Sequence, residues 1–151
     1  MESDHKTEYK KARGYALKRL ALKSYSTPEM RRRLQQKLIS DEIIEPLLKD
    51  LVEKGYINDR EWTEGFIRSQ VRKRTGIHVI KAKLQQKGIP LDQIDEALTE
   101  AGVAKSQSEL IKNLLETRYK SKNLNNLKQR RQVIAALARK GFSLDAIFSS
   151  L

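Results

Sequence analysis

The sequence contains no cysteine, only two histidines and a single tryptophan among its 151 residues. Without cysteine there is no disulfide framework, zinc ribbon or thiol nucleophile, and this absence is weakly typical of a reducing compartment. His5 and His78 have neither cysteine nor a close carboxylate cluster around them, so we expect no metal site. No glycine-rich phosphate loop follows a strand and no nucleophile–base pair is recognisable. We therefore expect a binding protein that uses no cofactor, and not an enzyme.

Long apolar runs are also missing. No stretch approaches the ~20 apolar residues that a membrane-spanning helix needs. The charged segment 1–11 lacks the apolar core of a secretory signal. We therefore expect a cytoplasmic monomer that makes no membrane contact.

One phrase occurs three times, at residues 34–48, 84–98 and 137–151. Its pattern is L-x-x-K-[G/L]-[I/F]-x-x-[D/E]-x-I-x-x-x-L, and the second and third copies begin 50 and 53 residues after the preceding one. Self-similarity at this period is typical of stacked supersecondary units that share buried surface. We predict an all-α protein of three tandem three-helix repeats, each helix-turn-helix-like, in an elongated, curved stack. The predicted organisation is a flexible charged tail at 1–11, then repeats at 12–57, 58–102 and 103–151.

Helix start and stop signals divide each repeat into three helices. Ser26–Glu29 has the pattern of a capping box before the second helix, and Ser106–Glu109 has the same pattern in the third repeat. Glycine ends the second helix of two repeats, and Leu38 occupies that position in the first. Pro46 lies beyond the first turn of the next helix, where it removes a hydrogen bond. We expect a kink there, or a regular helix that begins only at Pro46.

Charge is distributed unevenly along the repeats. The formal net charge of +12 favours an anionic partner. The third helices, at 41–53, 91–100 and 143–151, hold ten of the 19 acids and one of the 31 bases, which disfavours their insertion into a DNA groove. The bases lie on the first and second helices, either as ordinary solvated faces near helix C-termini or, as we prefer, as one binding stripe along the stack. The predicted basic stripe comprises Arg31, Arg32, Arg33, Lys37, Arg68, Arg72, Lys73, Arg74, Lys81, Lys83, Lys87, Arg118, Lys128, Arg130, Arg131, Arg139 and Lys140.

Two weaker candidates remain among the acids and the aromatics. Acids near the start of the third helix of repeat two could hold a divalent ion, although acids there more often stabilise a helix N-terminus. These acids are Asp92, Asp95 and Glu96. Trp62 and Phe66 share a helical face and fit a core, whereas Tyr25 and Tyr119 are better placed to stack on nucleic-acid bases.

The stretch Gly55–Asp59, followed by Trp62 and Phe66, resembles the RecX family of bacterial RecA regulators. That family has a G-Y-[LI]-[DN]-D signature before an aromatic-rich helix. A basic helix ending in L-x-x-K-G-[IV] follows, and Leu84–Ile89 matches it. The resemblance covers Ala12–Leu151, and the second repeat carries most of its specificity.

The chain departs from the family pattern at four positions of the second repeat. Arginine is common in the family at three of them, and glycine is common where Arg74 stands. The residues present here are Glu61, Gln70, Arg74 and Val79. These departures do not affect the expected fold, but they leave contacts at these positions open. The basic positions that match the family are Lys73 and Lys87.

The resemblance implies a modulator of RecA. Its curved module would lie in the helical groove of the RecA–single-stranded DNA filament and suppress ATP hydrolysis, strand exchange and coprotease activity. It would thereby restrain recombination and the SOS response, with weak direct DNA binding as an additional expectation. Two alternatives stay open: a helical-repeat protein that binds nucleic acid without RecA, and a scaffold that binds an acidic protein.

Overall fold

Residues 2–151 are described by the structure, a computed structural model, with side chains described from Ser3 onward. Over this range the chain forms nine helices and no strand. The helices are α1 (Glu2–Leu22), α2 (Thr27–Gln36), α3 (Asp41–Glu53), α4 (Asp59–Arg72), α5 (Ile77–Gln86), α6 (Leu91–Glu100), α7 (Val103–Glu116), α8 (Leu127–Arg139) and α9 (Leu144–Ser150). The predicted all-α class with three helices per repeat is confirmed. No helix in residues 2–151 combines the length and apolar character needed to cross a membrane.

The repeated phrase supplies the buried contact between the second and third helix of each repeat. Its first leucine and its central isoleucine are completely buried in all three copies. These residues are Leu34, Leu84, Leu137, Ile44, Ile94 and Ile147, each 0% exposed. Accordingly α2 packs against α3, α5 against α6 and α8 against α9. Full burial of one such side chain contributes about 1.5–3 kcal/mol, so this pair fixes the register of each helical hairpin.

The chain divides into two compact units, Met1–Thr63 and Glu64–Leu151, and the boundary falls inside α4. In the first unit α1 and α2 both pack against α3. In the second unit α7 packs against α5, α6 and α9, so the second and third repeats share helix contacts. The repeat boundaries at 57/58 and 102/103 follow the sequence phrase and stay a proposal.

The segment predicted as a flexible charged tail is helical over residues 2–11, and its flexibility stays a prediction. These residues form the first turns of α1, while Met1 lies outside the described range. Tyr9 is half-buried against the core of the first unit, and His5 Nε2 lies 3.7 Å from a carboxylate oxygen of Glu42 on α3. Because lysine and glutamate are good helix formers, a polar segment with one anchored aromatic side chain continues the helix.

Serine side chains cap the starts of α2 and α9. Ser26 Oγ accepts from the Glu29 amide at 3.3 Å, as predicted, and Ser143 Oγ accepts from the Ala146 amide at 3.2 Å. The capping box predicted at Ser106–Glu109 is wrong, because α7 already begins at Val103. The buried Val103 side chain, 1% exposed, adds a turn to the apolar face of the helix and moves its start upstream.

Pro46 lies inside α3, which begins at Asp41. A helix that begins only at Pro46 is therefore wrong, and the predicted kink stays a prediction. A proline in a helix interior costs about 3 kcal/mol through its missing N–H and its ring. The residues flanking it, Ile43, Ile44, Leu47 and Leu48, are all buried, and at about 1.5–3 kcal/mol each their burial outweighs that cost.

Leu38 adopts the left-handed conformation that glycine adopts in the other two repeats. Its φ is +61°, against +86° for Gly88 and +97° for Gly141. The side chain is 92% exposed. Its burial therefore contributes no free energy to offset the backbone strain that a Cβ causes in this conformation. The fold thus requires a left-handed residue after the repeat lysine to end the second helix, even where that residue is a leucine.

The buried phrase leucine gives a direct test of the repeat register. We expect Leu84→Ala to lower the free energy of unfolding by roughly 2–5 kcal/mol, because it opens a cavity at a fully buried site. Urea unfolding followed by circular dichroism measures this. Leu127→Ala, at a leucine that is 63% exposed, is the matched control and should change stability by no more than about 0.5 kcal/mol. Equal effects of the two substitutions would contradict the register.

The strained position Leu38 in the first repeat gives a test in which a substitution should increase stability. We expect Leu38→Gly to raise the free energy of unfolding by about 0.5–1 kcal/mol, since relief of left-handed strain exceeds the entropy that glycine adds to the unfolded chain. Gly55→Ala is the control: its φ is +79° and an added Cβ would meet no atom within 4 Å, so it should destabilise through the backbone alone. A neutral or destabilising Leu38→Gly would contradict this account.

Candidate basic binding surface

The structure places every residue of the predicted basic stripe at an exposed or half-buried position. Four lie in the first unit, on α2 and its C-cap: Arg31, Arg32, Arg33 and Lys37. The others lie in the second unit. Helix α4 and its C-terminal turn carry Arg68, Arg72, Lys73 and Arg74, and α5 and its C-cap carry Lys81, Lys83 and Lys87. Arg118 follows α7. Helix α8 and its C-cap carry Lys128, Arg130, Arg131, Arg139 and Lys140. A single stripe that joins the two units stays a prediction.

Arg31 and Lys81 are each paired with the acidic third helix of their own repeat. Arg31 donates to Glu45 through two nitrogens, at 2.8 and 3.0 Å, and Lys81 Nζ lies 3.0 Å from Asp95 Oδ1. Both cations precede the phrase leucine by three residues, and both acids follow it by eleven. The ion pair is therefore a repeated feature, and Arg31 and Lys81 offer less free positive charge than their neighbours.

The bidentate contact changes the ionisation of both partners. The hydrogen bonds to Glu45 raise the pKa of Arg31, and those from Arg31 lower the pKa of Glu45. In the third repeat the corresponding positions hold Ile134 and Phe148. There the ion pair is absent, and Phe148 is 54% exposed.

The repeat lysine that follows the phrase leucine lies over an aromatic ring in two repeats. Lys37 Nζ is 5.1 Å from the centroid of Tyr15, and Lys87 Nζ is 5.6 Å from that of Phe66. A cation over a ring face gains about 0.5–1 kcal/mol at an exposed site. The negative ring face therefore offsets part of each positive charge.

The third repeat lysine, Lys140, has other cations as neighbours. Burial first, then the positive charges of Arg118 and Arg74, lower the pKa of Lys140. Arg74 adopts a left-handed backbone conformation with φ +57°. Lys140, at the end of α8, therefore lies within electrostatic range of two cations from other elements.

Two glycines hold the chain segments of that cluster together. The Gly76 amide donates to the Lys140 carbonyl at 2.8 Å, and the His78 amide donates to the Gly141 carbonyl at 2.9 Å. A Cβ at Gly76 would lie 2.2 Å from the Gly141 carbonyl carbon, so no larger residue fits without backbone movement. The N-terminus of α5 is thereby fixed against the C-terminal end of α8.

Neither of the two tyrosines predicted to stack on bases lies fully exposed. Tyr25 is 2% exposed and its hydroxyl accepts from Arg19 Nε at 3.1 Å, so its predicted role in stacking on bases is wrong. Tyr119 is half-buried against the core of the third repeat. Trp62 and Phe66 are also half-buried, in agreement with their assignment to packing. Lys23 Nζ lies 4.6 Å from the centroid of the Tyr25 ring. This cation–π contact gives the ring a packing role among the neighbouring basic residues.

The acids of α6 do not assemble a metal site in the described structure. Between residues 3 and 151 there is no group of three or more histidine, cysteine or acidic side chains that could hold an ion. Asp95 instead contacts Lys81, and Asp92 lies in the first turn of its helix. Asp92 and Asp95 are therefore explained by the helix N-terminus and by the ion pair with Lys81.

Three family models match the chain in order. They describe the first, second and third three-helix domains of RecX, and they match residues 12–51, 58–98 and 106–151 respectively. The chain belongs to the RecX family.

Curated relatives support this membership along most of the chain. The regulatory protein RecX of Pseudomonas putida is 32% identical over 132 residues, which cover 87% of this chain and 83% of the relative. That of Mannheimia succiniciproducens is 34% identical over 106 residues, or 70% of this chain and 68% of the relative. These proteins are named as regulators, and none of the names is that of an enzyme.

Two solved RecX structures have the same fold. A crystal structure of RecX from Lactobacillus salivarius is 26% identical, with a TM-score of 0.85 over 95% of this chain and 94% of the other. A further crystal structure of regulatory protein RecX is 26% identical, with a TM-score of 0.84 over 97% of this chain and 73% of the other. Agreement at this level confirms the three-helix repeat architecture.

The RecX-like signature has a structural role that sequence reasoning missed. Gly55 takes a left-handed φ of +79° and Ile57 is buried. Asn58 Oδ1 accepts from the Glu61 amide at 3.1 Å, and Asp59 Oδ1 accepts from the Thr27 amide at 2.6 Å. The signature therefore caps α4 and joins its start to that of α2. The presence of two cap-forming residues directly before an aromatic helix was the available signal.

The repeated ion pair gives a pH-dependent prediction. Because the pKa of Glu45 is lowered on folding, the pair stabilises the protein above the ordinary carboxyl pKa, and this stabilisation is lost as the pH falls through the lower folded value. We expect Glu45→Gln to cost about 0.2–1 kcal/mol at pH 7, in the range of exposed pairs, and to reduce the loss of stability below about pH 4.5. Urea unfolding at a series of pH values measures both effects.

Glu53→Gln is the matched control for this prediction. Glu53 lies at the C-terminal end of the same helix and is exposed, where an acid opposes the helix dipole. Its removal should therefore not destabilise the protein. A Glu45→Gln protein with unchanged stability at pH 7 would contradict a contribution from the pair.

Proposed function

We propose that this protein regulates RecA. It binds in the groove of the RecA–single-stranded DNA filament in the cytoplasm and suppresses ATP hydrolysis, strand exchange and coprotease activity, thereby modulating recombination and the SOS response. The observation that carries the proposal is the ordered match of all three RecX domain models. The names of the relatives, regulatory protein RecX, support a regulatory role.

The distribution of charge supports an anionic target. Every residue of the basic stripe has at least part of its surface accessible, and the net charge is +12. A nucleoprotein filament presents phosphates and acidic side chains, which attract such a surface over roughly one Debye length, about 10 Å at 0.1 M salt. Acids of α3 and α6 form ion pairs with cations of their own repeats. These pairs offset part of the negative charge that would otherwise repel an anionic target.

Inhibition by occupancy requires no bond chemistry. A repeat protein that fills a helical groove can prevent access of a second DNA strand and hinder the subunit movements that accompany ATP turnover. Successive repeats offer similar surfaces at successive positions, which suits a target that is itself periodic. In this mechanism affinity depends on many modest contacts distributed over the repeats.

The second candidate is direct binding to nucleic acid without RecA. The cluster of Arg74, Arg118 and Lys140 favours it, because none of the three has a carboxylate partner among residues 3–151. The acidic character of α3 and α6 disfavours base readout in a major groove. Strong duplex binding without RecA, with a steep salt dependence, would support this alternative.

The direct test measures the single-stranded-DNA-dependent ATPase activity of RecA in a titration with this protein. We expect ATPase activity to fall as the protein approaches the concentration of RecA, and strand exchange to fall in parallel. A basic control protein of similar size and charge should not reproduce the effect. Unchanged ATPase activity together with tight binding to naked DNA would contradict RecA regulation and favour the second candidate.

The role of the basic surface is tested by charge reversal. We expect the combined Lys73→Glu, Arg74→Glu and Lys87→Glu protein to lose filament affinity while it keeps its helicity, because all three side chains are exposed. The matched control reverses Lys18, Lys49 and Lys112, which are exposed and outside the stripe. Fluorescence anisotropy with labelled filaments and circular dichroism measure the two properties. Equal losses of filament affinity in both proteins would show that net charge, and not this surface, determines binding.

A further inference from the structure

The three repeat lysines occupy equivalent sequence positions but different environments. Lys37 and Lys87 each lie over an aromatic ring, at 5.1 and 5.6 Å. Lys140 makes no such contact within residues 3–151, and the positive charges of Arg118 and Arg74 act on it instead. In two repeats an aromatic ring offsets part of the charge of the repeat lysine. In the third repeat the lysine has further positive charges near it instead.

The backbone holds the segment that carries Arg74 against the segment that carries Lys140. Arg74 lies two residues before Gly76, whose amide donates to the Lys140 carbonyl at 2.8 Å. The glycine crossing at Gly76 and Gly141 leaves no room for a side chain. Arg118 directly follows the C-cap of α7 and precedes Tyr119, which packs against the core of the third repeat.

Fold stability does not account for this arrangement. Like charges repel, and none of the three cations has an ion-pair partner among the described residues. Arg74 in addition carries left-handed strain that glycine would relieve. Strain of this kind persists where the surrounding structure enforces it, and it concentrates at functional sites.

Attraction to helix C-termini explains only part of the cluster. A cation near the end of one helix is stabilised by the exposed carbonyls there. At the end of α8, however, the carbonyls of Lys140 and Gly141 already accept hydrogen bonds from Gly76 and His78. The dipole also does not require that cations from three helix ends meet beside one another.

We propose that Arg74, Arg118 and Lys140 form a binding site for a phosphate group of single-stranded DNA. Two guanidinium groups can each donate paired hydrogen bonds to phosphate oxygens, and the ammonium group adds a point charge. The proposal deepens the proposed function, since the filament contains such DNA, and it locates the phosphate contact in the second unit. Free phosphate has the same chemistry, so the test separates the two sources.

The decisive variant is Arg74→Gly, because stability and binding should change in opposite directions. Removal of the charge should weaken binding to a labelled oligothymidylate roughly tenfold, the value of a charge-assisted hydrogen bond. The melting temperature should rise, since glycine relieves the left-handed strain. Leu38→Gly is the matched control: it relieves similar strain at φ +61° and should raise the melting temperature without changing DNA affinity.

The salt dependence tests whether the contact is with a DNA phosphate. In the Arg118→Gln, Lys140→Gln protein, loss of one phosphate contact should reduce the slope of log affinity against log salt by about 0.7. The control Lys49→Gln, Lys112→Gln protein has the same net charge, with both changes at exposed positions outside the stripe. An equal reduction in both proteins would overturn the site.

Two competitors identify the ligand. Sodium phosphate and polyglutamate are each added to the complex with oligothymidylate at matched ionic strength. Competition by phosphate that disappears in the Arg74→Gly protein supports the site. Inorganic phosphate bound by the wild-type protein, with unchanged oligothymidylate affinity in the variant, would overturn the assignment to DNA. Equal competition by polyglutamate would overturn it in favour of a general acidic ligand.

RecA ATPase assays with the same variants distinguish this proposal from the proposed function. Reduced DNA affinity with full suppression of ATPase activity supports the phosphate site and separates it from regulation. Reduced DNA affinity with reduced suppression supports both. Unchanged DNA affinity in the Arg74→Gly protein overturns the site, whatever the effect on RecA.

Discussion

Each repeat depends on burial of one leucine of its second helix and one isoleucine of its third. Leu84 and Ile94 show this in the second repeat, where both are 0% exposed. The contact fixes the rotation of both helices and thereby decides which side chains point outward. The left-handed stop after the repeat lysine follows from it, because the chain must reverse within a few residues to bring the isoleucine back. Leu38 adopts the required conformation although its Cβ disfavours it.

The same constraint separates charge within each repeat. With the apolar faces of the second and third helices turned toward each other, acids of the third helix lie beside bases of the second. The pairs Arg31–Glu45 and Lys81–Asp95 result from this proximity. They neutralise part of the acidic helix locally and leave most of the basic side chains available. A chain that is strongly basic overall can thus carry acidic helices without losing its attraction to an anionic filament.

The third repeat departs from this scheme while it keeps the fold. Ile134 and Phe148 stand where the ion pair would be, and Lys140 has cations as neighbours instead of a ring. Packing sets the requirements at the buried positions, so they are the same in all three repeats. The surface positions are free to differ, and the phosphate site proposed for Arg74, Arg118 and Lys140 uses that freedom.

The sequence by itself determined the all-α class, the threefold repeat and the buried register, because the phrase places its apolar residues at helical spacing and stops each second helix at one position. It also identified the basic residues and the family resemblance at Gly55–Asp59. Only the tertiary structure decided that residues 2–11 are helical, that Tyr25 is buried, and that Arg31 and Lys81 are paired. Each of these depends on residues distant in the chain, such as Glu45 and Asp95, whose approach is set by packing. The meeting of Arg74 with Lys140 has the same origin: the glycines that permit it are 65 residues apart in sequence, and no local pattern relates them.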